Sequence, residues 1–96
     1  MYAVVRSYSG GDASQLFDLI EQRSDEVQTL IGGVPGFISY TAARTTDGGI
    51  TVTVCGDKTG TDESSKRAAA WVKENSPATV NPPMISEGNT VVHFNS

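Results

Sequence analysis

The side chains in this chain suited to holding anions, moving protons or stacking on flat ligands are few. They are Arg6, Tyr8, Tyr40, Cys55, Trp71 and His93. Trp71 is the single tryptophan; it is read either as a pocket wall that holds an aromatic substrate or as a space-filling residue over a sheet. His93, the only histidine, has the chemistry of a general base or a haem ligand. No acid or nucleophile is spaced to work with it, so a structural or interface role competes. Arg6 interrupts an apolar run and offers a fixed fork of donors to a carboxylate or phenolate. An inter-subunit salt bridge and a place at a solvated strand end are the alternatives. Tyr8 and Tyr40 are phenolic donors to a substrate or plain strand residues. Cys55 needs a thiolate-favouring neighbour to be a nucleophile, and the sequence marks none, so it reads as a small, partly buried side chain.

Other chemistries find no support. One Cys and one His without paired spacing make no metal-ligand set. The pairs Gly10-Gly11, Gly32-Gly33 and Gly48-Gly49 fall where turns are needed, and Asp57-Lys58-Thr59-Gly60 lacks phosphate-loop spacing. The seven basic residues are scattered among eleven acidic ones, for a net charge of −4, which argues against nucleic acid as a partner. A lone cysteine gives no internal disulfide. Residues Met1 to Ser7 are too short an apolar run for a signal or a membrane span. A cytoplasmic, non-membrane protein is the expectation.

The elements that must position these residues follow from periodicity. Tyr2 to Tyr8 is β-rich and stops at Ser9-Gly10-Gly11. Asp12 is a helix N-cap, with Gln15 three residues on as in a capping box. Leu16, Phe17, Ile20, Val27, Leu30 and Ile31 then trace one stripe on a single helix of about five turns, closed by Gly32-Gly33. Phe37 to Arg44 is a second strand, and Asp47-Gly48-Gly49 signals a hairpin into Ile50 to Cys55. Thr61 is expected to cap a second helix, with Ala68, Ala69, Trp71 and Val72 on its apolar side and Pro77 at its stop. Met84 and Ile85 anchor the proline-rich connection as a short helical turn. Asn89 to Asn95 is the last strand.

Residues 1–96 therefore read as one α+β domain of βαββαβ order, the ferredoxin-like arrangement, with both helices on one face of a four-stranded antiparallel sheet. In the third strand the aliphatic row Ile50, Val52 and Val54 is expected to meet the helices. Thr51, Thr53 and Cys55 then fall on the uncovered face. Hydrophobic content of 38% is low for a compact domain. A second sheet packed on the bare face would supply the missing burial, so a homodimer is expected.

The strand at the N-terminus, the long first helix, Val34-Pro35-Gly36-Phe37, the alanine-rich helix carrying Trp71 and the last strand with His93 and Phe94 resemble one family. It is the dimeric α/β-barrel superfamily, in particular its antibiotic-biosynthesis-monooxygenase-like (ABM-like) domains. The resemblance spans nearly the whole chain through short, degenerate motifs. It implies two sheets packed as one barrel in a homodimer and a cavity between helices and sheet. Some members are cofactor-independent monooxygenases of aromatic polyketides, and others degrade haem. Family sites typically carry an asparagine on the first strand and a tryptophan on the second helix. Trp71 matches the latter, whereas the first strand offers Arg6, Ser7 and Tyr8 and no asparagine. The haem-degrading members use a histidine after the second helix, where this chain has only His93.

Two function classes follow. One is an enzyme, a monooxygenase that needs no cofactor and positions a small aromatic substrate near Trp71, Tyr8 and Arg6. The other is a non-catalytic dimeric module that binds a small hydrophobic molecule or regulates. The missing asparagine and the lack of an acid–base pair favour the second; the resemblance and Trp71 favour the first.

Overall fold

The computed structural model describes residues 1–76 and 79–96. Its elements are β1 (Tyr2–Ser9), α1 (Ala13–Gln22), α2 (Ser24–Gly32), β2 (Phe37–Thr45), β3 (Gly48–Cys55), α3 (Lys58–Asn75) and β4 (Met84–Asn89). The strands form one antiparallel sheet in the order β2-β3-β1-β4, the ferredoxin-like order. The expected architecture is present, and four of its details differ.

The first helix is two helices. Its apolar stripe lapses between Ile20 and Val27, where Gln22, Arg23 and Ser24 give the chain nothing to bury. Arg23 leaves helical geometry at φ −114° and ψ 35° while its N–H still closes on Leu19. The bend lets α1 pack on β3 and α2 on β2, so the pair follows the twisted sheet. At the start of α1, Asp12 makes no side-chain capping bond. Its carboxylate instead accepts from Thr79 and from Gln15 Nε2, which ties the helix start to the incoming connection.

The second helix starts earlier than expected, at Lys58 after Asp57, and Thr61 lies inside it. Thr61 is buried and its hydroxyl returns to the Lys58 carbonyl at 3.1 Å. Pro77, expected as the helix stop, lies outside the described residues.

The last strand is Met84–Asn89, not Asn89 to Asn95. Met84 and Ile85 are paired β-residues opposite Ser7 and Arg6 rather than a helical turn. The ladder is limited by its partner: β1 begins at Tyr2, which pairs with Asn89, and the Thr90 N–H takes the Met1 carbonyl as the last bond. Lys58 at the start of α3 bridges Asp62 at 2.9 Å and Glu87 of β4 at 3.0 Å, holding this register. The more β-prone residues Val91, Val92 and Phe94 run past the sheet and are exposed.

The faces of β3 are the reverse of expectation. Cross-strand partners share a face, and Arg6 pairs with Thr51 while Val4 pairs with Thr53. Thr51, Thr53 and Cys55 are buried toward the helices, and Ile50 and Val52 lie half-buried on the other side with Val5. The reason is Arg6: a guanidinium on the helix face needs acceptors, and the threonine row supplies them. The apolar core sits beside it and comprises Tyr8, Ala13, Leu16, Phe17, Val27, Ile31 and Trp71. Gly49 belongs to that packing, since a Cβ there would come within 2.4 Å of the Phe17 ring.

Candidate functional site

The helix face of β1 carries Val4, Arg6 and Tyr8 inward. Arg6 is only 2% exposed. Its Nη1 donates to Thr51 Oγ1 at 3.3 Å and Thr53 Oγ1 at 3.2 Å. Its Nη2 donates to Ser64 Oγ at 2.5 Å and Ser65 Oγ at 3.1 Å, both on α3. Nε has no partner among the described residues. Every acceptor is a neutral hydroxyl, and among the described residues no carboxylate is paired with Arg6, so its charge has no counter-ion there. Burial accordingly pushes the Arg6 guanidinium down from its ordinary range, while Tyr8, Tyr40 and Cys55 act the other way. Arg6 therefore does not lie at a solvated strand end.

This polar layer explains the weak amphipathicity of α3. Gly60, Thr61 and Ser64 face the sheet because small residues must make room for a guanidinium and its hydroxyl cage. Gly60 lies so close to Cys55 and to the Pro35 carbonyl, 2.1 Å from a would-be Cβ, that no side chain fits.

Next to the cage lies a small inner cavity of about 30 Å³, lined by Tyr8, Tyr40, Thr51, Ala68, Trp71 and neighbouring aliphatics. Tyr8 meets Phe17 edge-on, with centroids 5.9 Å apart and planes at 66°. Neither the Tyr8 nor the Tyr40 hydroxyl hydrogen-bonds to a described residue. Burial raises both phenols, opposed by Arg6, and Tyr40 is pushed up to about 12. Both are neutral donors at physiological pH. The Trp71 indole N–H donates to Glu26 Oε2 at 2.8 Å, which fastens α3 to α2 and fixes the ring at the cavity wall. Trp71 thus serves the core and lines the cavity at once.

A second, larger space lies beside this one. Between α1, α2 and β2, a cleft of about 770 Å³ is walled by Phe17, Ile20, Val27, Ile31, Phe37 and Tyr40. Small-molecule sites run from roughly 300 to 1,000 Å³ and are mostly apolar. Ile20, Val27, Ile31 and Tyr40 border both spaces. Arg44 of β2, also on the cleft wall, reaches Asp18 at 3.0 Å and Glu21 at 3.1 Å on α1. These exposed pairs clasp one side of the cleft with little stabilising weight.

The remaining candidates lie apart. His93 is on the tail beyond β4, not on a strand, and borders neither space. Its Nε2 is buried without a hydrogen-bond partner among the described residues. Cys55 is 0% exposed against α3, and burial raises its thiol first, with Asp57 adding to it. That favours the thiol, not the thiolate. Among the described residues no three His, Cys, Asp or Glu side chains converge as a metal site. No described helix is long and apolar enough to cross a membrane.

Arg6, Tyr8 and Trp71 are therefore brought together, and His93 is not. Sequence reasoning missed the hydroxyl cage of Thr51, Thr53, Ser64 and Ser65. A signal existed: an arginine in a β-run opposite a strand of alternating threonines, followed by a Ser-Ser pair in a helix.

No protein-family model matches the chain, and no curated protein does. Solved structures do. A variant of MhuD, crystallised with two manganese protoporphyrin IX molecules per active site, superposes with a TM-score of 0.69 over all of both chains at 13% identity. The heme-degrader MhuD from Mycobacterium tuberculosis, with two hemes in its active site, gives 0.68 at 12% identity, covering 99% of this chain and 100% of that one. The monooxygenase ActVA-Orf6 of Streptomyces coelicolor, in complex with nanaomycin D, gives 0.64 at 24% identity, covering 99% of this chain and 90% of that one. The protomer shares the ferredoxin-like α+β fold of these structures.

Proposed function

We propose that this protein is an ABM-like, cofactor-independent monooxygenase that acts on a small flat phenolic or quinol-type aromatic. The observation that carries the reading is a mostly apolar cleft with room for fused rings that shares Ile20, Val27, Ile31 and Tyr40 with a small cavity lined by Tyr8, Trp71 and Thr51, the last a member of the Arg6 cage. The likeness in fold to a monooxygenase holding nanaomycin D points the same way.

The chemistry asks little of the protein. An electron-rich aromatic that loses a proton reacts with dioxygen directly. A ring CH₂ becomes C=O: one oxygen atom enters the new carbonyl, the other leaves as water with the two hydrogens, and the substrate supplies all four electrons. The chain's part is to hold the ring, exclude water and favour the anion. Residues proposed to do so are Trp71 and Phe17 as ring contacts, Tyr8 and Tyr40 as hydroxyl donors, and Arg6 as the fixed charge. No role is assigned to His93.

A homodimer belongs to the same proposal. The uncovered sheet face carries Val5, Ile50 and Val52, and the tail beyond β4 exposes Val91 at 94% and Phe94 at 84%. A second copy packing sheet to sheet would cover both, as in the barrel that the family resemblance implies. A cytoplasmic location is retained as part of this reading.

The alternative, a non-catalytic module that binds a small hydrophobic molecule or regulates, is favoured by one observation. The inner cavity holds no deprotonated base, since both tyrosines titrate high. Oxygen uptake decides between the two. Chelator-treated protein given an anthrone should consume dioxygen above the buffer rate and yield the quinone, and Trp71→Phe should slow it. Binding of the anthrone with no uptake would leave the module reading standing.

A further inference from the structure

Gly32 is the last residue of α2 and lies on the wall of the outer cleft. Its backbone does not call for glycine. It is helical, without the positive φ that Gly36 adopts at 68°. The helix needs no left-handed residue to stop either, since Gly33 at its C-cap sits at φ −87° and ψ −1°. Packing does not call for glycine at residue 32. A Cβ on Gly33 would press on Arg67 Nη1 at 3.1 Å and on the Thr29 carbonyl at 3.3 Å, whereas a Cβ on Gly32 would meet nothing within 4 Å. Glycine is the poorest helix former after proline, so alanine here would favour the helix and disturb no neighbour. Gly56 and Gly88 also have room, but neither lines the cleft or the inner cavity.

What the glycine does keep is open space in the cleft. Ser24, Gln28 and Gly32 are spaced four apart, and with Val27 and Ile31 they make up the face of α2 on the cleft wall. Phe37, Ser39 and Tyr40 of β2 line the same cleft. A helical side chain leans back over the turn that precedes it, so one at residue 32 would lie in the cleft beside Gln28. We infer that Gly32 is a specificity-determining residue: by carrying no side chain it leaves the cleft open to the outer ring of a fused aromatic, and a large residue there confines the site to single-ring ligands. The inference rests on the proposed function for its ligand class and deepens it. The volume agrees, since about 770 Å³ is the space of a site for a molecule of several rings, and a single ring fills little of it.

The test titrates two probes, a three-ring hydroxyanthraquinone and the single-ring para-nitrophenol, into wild type, Gly32→Ala and Gly32→Leu. Quenching of Trp71, the only tryptophan, which lines the neighbouring cavity, reports binding. Gly32→Leu should weaken the three-ring probe by about tenfold or more, the scale on which a pocket discriminates single methylenes, with Gly32→Ala in between. The single-ring probe should change by less than about twofold in both. Urea midpoints of both variants should match or exceed that of wild type, which a damaged fold would not give. If Gly32→Leu does not fold, the graded loss in Gly32→Ala still decides. An unchanged affinity for the three-ring probe overturns the inference. So does an equal loss of both probes, or failure of wild type to bind the three-ring probe at millimolar concentration. The outcome is separable from the oxygenase reading. Size discrimination at Gly32 without anthrone oxidation keeps the inference and removes the activity; oxidation that proceeds equally well in Gly32→Leu does the reverse.

Discussion

A charged guanidinium taken out of water must be offset by acceptors, and those acceptors then dictate what surrounds it. Arg6 illustrates the consequence residue by residue. It draws Thr51 and Thr53 to the inner face of β3, Ser64 and Ser65 to the inner face of α3, and leaves Tyr8 and Tyr40 neutral beside it. Tyr40 carries a pH signature. Its folded phenol titrates at about 12, above the ordinary value of 10.0, so the native state keeps a proton that the unfolded state releases. That contribution is fully present below pH 10 and is lost as pH rises toward 12, with no effect at neutrality. Ultraviolet titration of tyrosinate should show a late-ionising fraction, and urea midpoints should fall across the same window. Trp71→Phe removes the indole bond to the half-exposed Glu26 and should lower stability by about 1 kcal/mol, read as a urea midpoint shift at unchanged slope. Of the residues at the proposed site, Arg6, Tyr8 and Trp71 are legible in the sequence because their places on strand and helix are readable. The hydroxyl cage was not, because threonine and serine look like solvent-facing residues until the charge they serve is located. His93 has the chemistry of a base, but it borders neither space and its Nε2 has no partner among the described residues.

Elements were read well where periodicity was strong and poorly where a tertiary partner set the boundary. The strand Ile50 to Cys55 lies within β3, whose alternation is strict, but its faces were inverted, since alternation alone does not say which row is inside. The break at Arg23 was hidden because a helical stripe resumes in phase after a gap of seven residues. Strand β4 falls earlier than β-propensity suggests because its extent depends on where β1 begins and on the Lys58–Glu87 bridge. Two predictions belong to this scale. Gly49→Ala drives a methyl into the Phe17 ring, so α1 must lift from β3; stability should fall by about 1–3 kcal/mol in urea unfolding. Glu87→Lys places like charges at the start of α3 and on β4. It should raise hydrogen exchange in Met84–Asn89 selectively and leave β1–β3 pairing protected.

At the scale of the molecule, the protomer presents one covered and one uncovered sheet face, and its most apolar tail residues lie outside the sheet. Dimerisation by the uncovered face would bury both, and native mass spectrometry of the purified chain should give twice the mass of 10.1 kDa. Val52→Asp, at the middle of the uncovered face, should return a monomer whose inner cavity is unchanged. On the proposed function, one sheet face would serve association and the other the ring-binding cleft.

The most direct measurement of the central claim is oxidation of an anthrone under isotopically heavy dioxygen, with product mass recorded in the presence of a chelator and without added flavin. The account predicts one heavy oxygen atom in the quinone carbonyl, formed at a rate that falls in Arg6→Met and Trp71→Phe. Quinone carrying only solvent oxygen, or a rate no greater than that of buffer, would contradict it.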